Sequence, residues 1–183
     1  LNFFVNRITL AQDTLQEILK KREKYGSSKE GKGKTVAIDL SAPNIAKPFG
    51  IGHLRSTIIG DSLSNMAKFL GYKTIKINYL GDWGTQFGKL ITGYKKWGDE
   101  KKLRESPILH LQELYVKVNA DESLEQESRD WFRKLEGGDN EAVALWKKFR
   151  ELSIEEFNKI YDLLDVEFDI ISGESLYNSK MDA

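Results

Sequence analysis

Apolar positions recur at two periods along the chain, and the switches between them divide it into strands and helices. The opening Leu1–Val5 is a short apolar, strand-like run that reads as the tail of something begun upstream. Thr9 is a candidate cap for a helix that brings Leu10, Leu15, Ile18 and Leu19 near one face. That helix ends in a basic turn, Lys20–Lys24, before Gly26. Residues 26–34, GSSKEGKGK, are small and polar and offer nothing to pack, so they read as a flexible linker. Residues 1–25 are then an N-terminal appendage and residues 35–183 the main domain.

The main domain opens with Thr35–Leu40, a β-rich run suited to a buried strand. A loop with Pro43, Pro48, Gly50 and Gly52 leads into a helix expected over His53–Leu70. Leu54, Ile58, Leu63, Met66, Ala67 and Leu70 should lie on or near its buried side, and Gly71 should stop it. Lys73–Leu80 alternates as a second strand through Ile75, Ile77 and Tyr79. Strand, helix, strand in this order is a βαβ unit with parallel strands and a right-handed crossover. Beyond Gly81 the pattern turns helical: 85–97, 108–119, 123–135 and 140–164, giving a helical region over about residues 103–164. Gly137-Gly138-Asp139 breaks the last two, with Asp139 or Asn140 as cap. A third strand is expected over Glu167–Ile171, before Gly173-Glu174-Ser175. The fold class is α/β, part of a Rossmann-like parallel sheet with inserted helices. Three strands are fewer than a complete doubly wound sheet has, so the expectation is a fragment of a larger protein.

Composition narrows the chemistry. Of 183 residues, 40% are apolar, and no window approaches the run of about 20 that a bilayer span requires. The first residues lack the basic-then-apolar layout of a signal peptide. With 28 basic and 28 acidic residues the formal charge is zero, which argues against a general attraction to nucleic acid but leaves room for a local basic face. Cysteine is absent, so disulfides, thiolate metal sites and a cysteine nucleophile are excluded; the composition suits a reducing cytoplasm. His53 and His110 are the only histidines, which excludes a multi-histidine metal centre.

The chemistry concentrates between Asp39 and Ser56, DLSAPNIAKPFGIGHLRS, where the first strand ends and a helix begins. Open α/β sheets bind ligands outside that carboxyl edge. Gly50 and Gly52 allow close approach to the backbone, and the unpaired amides of a first helical turn favour an anion. Lys47 and His53 add donors, so the turn would cradle a nucleotide. Each residue alone has a plain alternative: a tight turn, a solvated lysine, a capping histidine. The turn lacks the Gly-Lys-Ser/Thr of a Walker loop and the GxGxxG spacing of a dinucleotide site.

SAPNIAKPFGIGHLRSTIIGDSL at 41–63, followed by INYLGDWGTQFGKLI at 77–91, closely resembles the active-site half of arginyl-tRNA synthetases, which are class I aminoacyl-tRNA synthetases. Gly50-Ile51-Gly52-His53 aligns with their HIGH signature, and the resemblance covers about Thr35–Ala183. It implies a class I synthetase fold, with residues 1–25 the end of that family's additional N-terminal domain. It further implies ATP-dependent activation of arginine to arginyl-adenylate and transfer to tRNA(Arg), with ATP and magnesium required and no prosthetic group. Lys47 and His53 would be the catalytic residues, with Lys47, Gly50, Gly52 and His53 binding ATP. Asp39, Ser41, Asn44 and Glu174 would bind arginine; a carboxylate can meet a guanidinium with two parallel bonds. No resident metal site is expected. The partners implied are arginine, ATP and tRNA(Arg), without a membrane; the expected state is a cytoplasmic monomer.

Two departures stand out. The first histidine of the signature is replaced by Gly50, and Lys47 could supply positive charge in its place. The second class I signature, KMSKS, is absent, and Ser179-Lys180-Met181 reads as surface sequence. The isolated chain is accordingly expected to be nearly inactive. One rival is a nucleotidylyltransferase of the same superfamily, which lacks the GDWGTQFG block; another is a non-catalytic nucleotide-binding module. Of the remaining features, Gly81-Asp82-Trp83-Gly84 reads equally as a cleft border or a plain turn. The aromatic stripe of Trp131, Phe132, Trp146, Phe149 and Phe157 reads as core, and His110 as structural.

Overall fold

A computed structural model describes residues 2–180 and shows a mixed α/β chain built on three parallel strands. Strands β1 (Thr35–Asp39), β2 (Lys73–Leu80) and β3 (Ile170–Gly173) lie in the order β1-β2-β3. Thr35 pairs with Lys73 and Asp39 with Ile77; on the other side Ile77 pairs with Ile170 and Leu80 with Gly173. Helix α2 (Ile51–Phe69) is the crossover between β1 and β2, and Gly71 stops it at φ 87°. Helices α3 (Gln86–Trp97), α4 (Glu100–Glu105), α5 (Pro107–Asn119), α6 (Glu125–Glu136) and α7 (Asn140–Leu164) fill the interval before β3. The parallel sheet and inserted helices expected from the pattern are therefore present.

The core lies where the inserted helices meet the carboxyl end of the sheet. Phe87, Ile91, Leu103, Leu111, Phe149 and Phe157 are buried there together with Leu80 and Ile45. Glycines allow α3 to approach its neighbours. A Cβ on Gly88 would stand 2.0 Å from the Ser128 carbonyl oxygen of α6, and one on Gly93 would stand 3.1 Å from the Leu114 carbonyl oxygen of α5. Asp99 caps α4 through the amides of Lys101 and Lys102, and Asp139 caps α7 through Glu141 and Ala142. His110 is structural: buried, its Nε2 accepts from the Asp99 amide at 3.1 Å.

Several expectations are corrected. Residues 2–5 form no strand, and Asn6, not Thr9, caps the first helix, α1 (Arg7–Lys21). The stretch 26–34 does pack. Gly31 is buried against Tyr72, and the amides of Ser28 and Gly31 donate to Phe69 and Leu70 at the end of α2. On α2 the buried positions are Thr57, Gly60 and Ser64, whereas Ile58, Leu63 and Met66 are about half exposed at 47%, 49% and 55%. The sheet takes the small face because a large side chain there would hold the helix away: a Cβ on Gly60 would already lie 2.4 Å from Leu40 Cβ. β3 starts later than expected, since Val166 and Phe168 turn into the core, Phe168 packing edge-on to Tyr161 at 4.8 Å. Helix α4 has no counterpart in the sequence reading.

Candidate functional site

The segment that joins β1 to α2 has an unusual backbone. Ser41, Ala42 and Ala46 all hold positive φ, at 73°, 49° and 58°, a region that costs non-glycine residues roughly 1–2 kcal/mol each. Buried hydrogen bonds from distant elements hold it. Ser41 Oγ lies 2.7 Å from Tyr161 Oη, which also accepts from Asn78 Nδ2 at 3.0 Å. The Ala42 amide donates to Asn78 Oδ1 at 3.1 Å and the Ala46 amide to Ser153 Oγ at 3.0 Å. Next to this, Asn44 bridges to Gly81 across the ends of β1 and β2, and the Ile45 amide donates to the Gly81 carbonyl.

Gly50 is the N-cap of α2. Its amide donates to His53 Nδ1 at 3.1 Å, and the ring leans on Phe49 with centroids 5.5 Å apart. An Nδ1 that accepts places the proton of a neutral imidazole on Nε2, which is then the donor. A Cβ at Gly50 or Gly52 would meet nothing within 4 Å, so the space before the first helical turn is open to a ligand. Lys47 is exposed. Lys47 and His53 line one cleft of about 360 Å³, together with Ile45, Gln86, Gln112 and Tyr115. The lysine and the imidazole thus share a cavity.

A second group sits at the same carboxyl edge. Asp39 is exposed at the end of β1, and Glu174 is exposed just past β3, its Oε2 accepting from the Trp83 amide at 3.4 Å. The Tyr79 phenol is held above its ordinary pKa, first by loss of hydration and then by Tyr177, Glu174, Asp82 and Asp39. This end of the sheet therefore exposes two carboxylates, those of Asp39 and Glu174. Ser41 is not part of that open surface; it is 3% exposed and its hydroxyl is engaged by Tyr161.

The comparisons with known proteins agree on a single lineage. The sequence model for the catalytic domain of class I (R) tRNA synthetases matches residues 14–183. The chain belongs to that family. A curated relative named arginine–tRNA ligase, from Streptococcus pneumoniae strain Hungary19A-6, is 55% identical over 186 residues, covering 100% of this chain and 33% of that protein. The chain thus spans about a third of the length of the curated relatives it matches. Among solved structures, Plasmodium falciparum arginyl-tRNA synthetase is 38% identical with a TM-score of 0.60, covering 83% of this chain and 25% of that one. Thermus thermophilus arginyl-tRNA synthetase shares the fold at a TM-score of 0.71 and 19% identity, over 95% of this chain and 28% of that one. The class I synthetase fold expected from the signature is the one the chain has.

Within the class I framework, sequence reasoning overlooked the residues that brace the site. Asn78 and Lys76 point from β2 into the layer beneath α2 and α7, and no local pattern signalled it, because Ile75, Ile77 and Tyr79 mark the opposite face of β2 as the apolar one. Tyr161, Ser153 and Arg150 carried no signal, because on α7 they read as ordinary members of an amphipathic helix.

Proposed function

We propose that the protein carrying this chain is an arginine–tRNA ligase, which activates arginine with ATP and transfers it to tRNA(Arg). The observation that carries this reading is the shared cleft of Lys47 and His53 beside the open first turn of α2. The 55% identical relative supports it. In activation, an arginine carboxylate oxygen attacks the α-phosphorus of ATP, and the bond to the β-phosphate oxygen breaks, releasing pyrophosphate. In transfer, a ribose hydroxyl of the tRNA attacks the adenylate carbonyl and AMP leaves. Neither step needs covalent help from the protein, so catalysis is positioning and charge stabilisation. Lys47 supplies an ammonium and His53 an Nε2–H to phosphate oxygens, with Gly50 and Gly52 letting the nucleotide reach the helix amides. Asp39, Asn44 and Glu174 receive arginine, and Ser41 acts by holding the loop rather than by touching substrate.

Among the described residues no three acidic or histidine side chains converge to hold a metal. Magnesium in this reading arrives on the ATP phosphates, where it keeps most of its water and neutralises charge. No helix among the described residues is long and apolar enough to cross a membrane, and the reading places the protein in the cytoplasm as a monomer. Residues 1–25 belong, in the same reading, to the end of an additional N-terminal domain. The 183-residue chain alone is expected to be nearly inactive.

The test is ATP–pyrophosphate exchange with the full-length protein, driven by each amino acid in turn. Arginine alone should drive it, and exchange driven better by another amino acid overturns the assignment. Lys47→Ala should slow exchange about 10- to 100-fold, the loss of one charge-assisted contact, while changing tRNA affinity less than threefold by order of magnitude. Near-normal exchange in that variant removes Lys47 from the site.

A further inference from the structure

We propose that Asp82 is the residue that positions Glu174, and that it thereby controls recognition of the amino acid's cationic side chain; this rests on the role given to Glu174 above. Asp82 lies just past β2, fully buried, with a carboxylate that accepts three hydrogen bonds. Oδ2 accepts from Arg150 Nε of α7 at 2.8 Å and from Ser175 Oγ at 2.9 Å, and Oδ1 accepts from the Ser175 amide at 2.8 Å. Its own carbonyl accepts from Trp146 Nε1 at 2.8 Å. Taking a carboxylate out of water is costly unless its lone pairs are met, and here they are met by one cation and by the residue that follows Glu174.

The residue before Glu174 is gripped by the same group. A Cβ on Gly173 would lie 2.4–2.5 Å from the Asp82 carboxylate atoms, so the strand end rests directly on it. Glu174 therefore stands between two residues whose places Asp82 sets. The next residue in the Asp82 loop completes the arrangement, since the Trp83 amide donates to Glu174 Oε2 at 3.4 Å. Asp82 is itself sealed from solvent and cannot touch a substrate. Its influence passes through the backbone of 173–175 and the orientation of one exposed carboxylate.

A buried ion pair that only braced α7 against the sheet would affect stability, and through it all kinetic constants alike. Positioning makes a narrower claim. In the full-length protein, Asp82→Asn should raise the KM for arginine in ATP–pyrophosphate exchange about tenfold and the KM for ATP less than about twofold. In a Glu174→Gln background, where KM for arginine is already raised, Asp82→Asn should add less than about twofold, since both changes remove one effect. If Asp82→Asn does not fold, Ser175→Ala keeps the backbone bond and loses only the hydroxyl. It should raise the arginine KM about threefold, again only when Glu174 is present. Equal changes in both KM values, no change in either, or a full multiplicative effect on top of Glu174→Gln would overturn the proposal. If Glu174→Gln leaves the arginine KM unchanged, the role of Glu174 itself is what fails, and the positioning role falls with it.

Discussion

At the scale of single residues, the site combines a strained turn with the groups that offset its strain. Three non-glycine residues at positive φ lie within six positions, and Tyr161, Asn78 and Ser153 hold them from below. Tyr161→Phe would leave Ser41 Oγ and Asn78 Nδ2 without their shared partner inside the protein. We expect a loss of about 1–3 kcal/mol in urea unfolding, with slower ATP–pyrophosphate exchange because the loop that carries Asn44 and Lys47 relaxes. Unchanged exchange in a variant destabilised by that amount would show that the loop keeps its shape unaided. Gly81 offers a different probe. Its φ is not positive, so alanine fits the backbone, yet a Cβ would lie 2.3 Å from Asn44 Oδ1. Gly81→Ala should turn the Asn44 amide aside and raise the arginine KM several-fold, on the order of one hydrogen bond, with little change in unfolding midpoint. The candidate residues Lys47, Gly50, Gly52 and His53 stood out in the sequence because they fall within seven positions at a strand-to-helix turn. The engagement of Ser41 was not, because its partner is 120 residues away.

Among the elements, α2 is the most instructive. Its large apolar residues suggested the buried face, but the sheet accepts the face with Thr57, Gly60 and Ser64, and that closeness seats Gly60 on Leu40, just past β1. Gly60→Ala should push α2 off Leu40 and cost about 1–3 kcal/mol by overpacking, measured by chemical denaturation. On the same interface Lys76 of β2 is buried and pairs with Asp61 of α2 at 2.8 Å. Removing the acid strands an ammonium in the interior. Asp61→Ala should therefore cost about 3 kcal/mol, and Lys76→Met less, since the Asp61 carboxylate it leaves is the more exposed partner and keeps the Asn65 amide as a donor. Equal losses would mean that the pair matters only through its packing. Most helices past Gly81 were legible from period and caps alone. The short α4 was not, because six residues are too few to show a period.

Taken as a whole, the molecule balances its charge and places its titrating groups so that folding is favoured around neutrality. Asp99 is held below the usual carboxylate range by the Lys102 and Lys101 amides, and Glu125 by Arg129. A folded-state pKa that is lowered gives stability that is present above the ordinary carboxylate range and is lost as pH falls through the lowered value. The Tyr161 phenol is raised by burial, and the Tyr94 phenol by burial and then by its bond to Glu100. Raised phenols stabilise fully below pH ~10 and lose that contribution as pH rises further. Thermal stability should consequently be flat between about pH 6 and 9 and fall on both sides, which a midpoint-against-pH series would check. A maximum confined to acid pH would contradict it.

What the sequence determined by itself was local: the βαβ unit, the alternation of Lys73–Leu80, the long helix from Asn140, and the cluster of donors between Lys47 and His53. Strand and helix periods, caps and signature spacing are all expressed within a few turns of chain. Only the tertiary structure decided which face of α2 meets the sheet, that residues 26–34 dock on its end, and that Asp82 bonds to Ser175 and Tyr161 to Ser41. Those outcomes depend on how closely two backbones can approach and on which buried donor meets which acceptor. Both are set between residues tens to more than a hundred positions apart, where no local pattern records them.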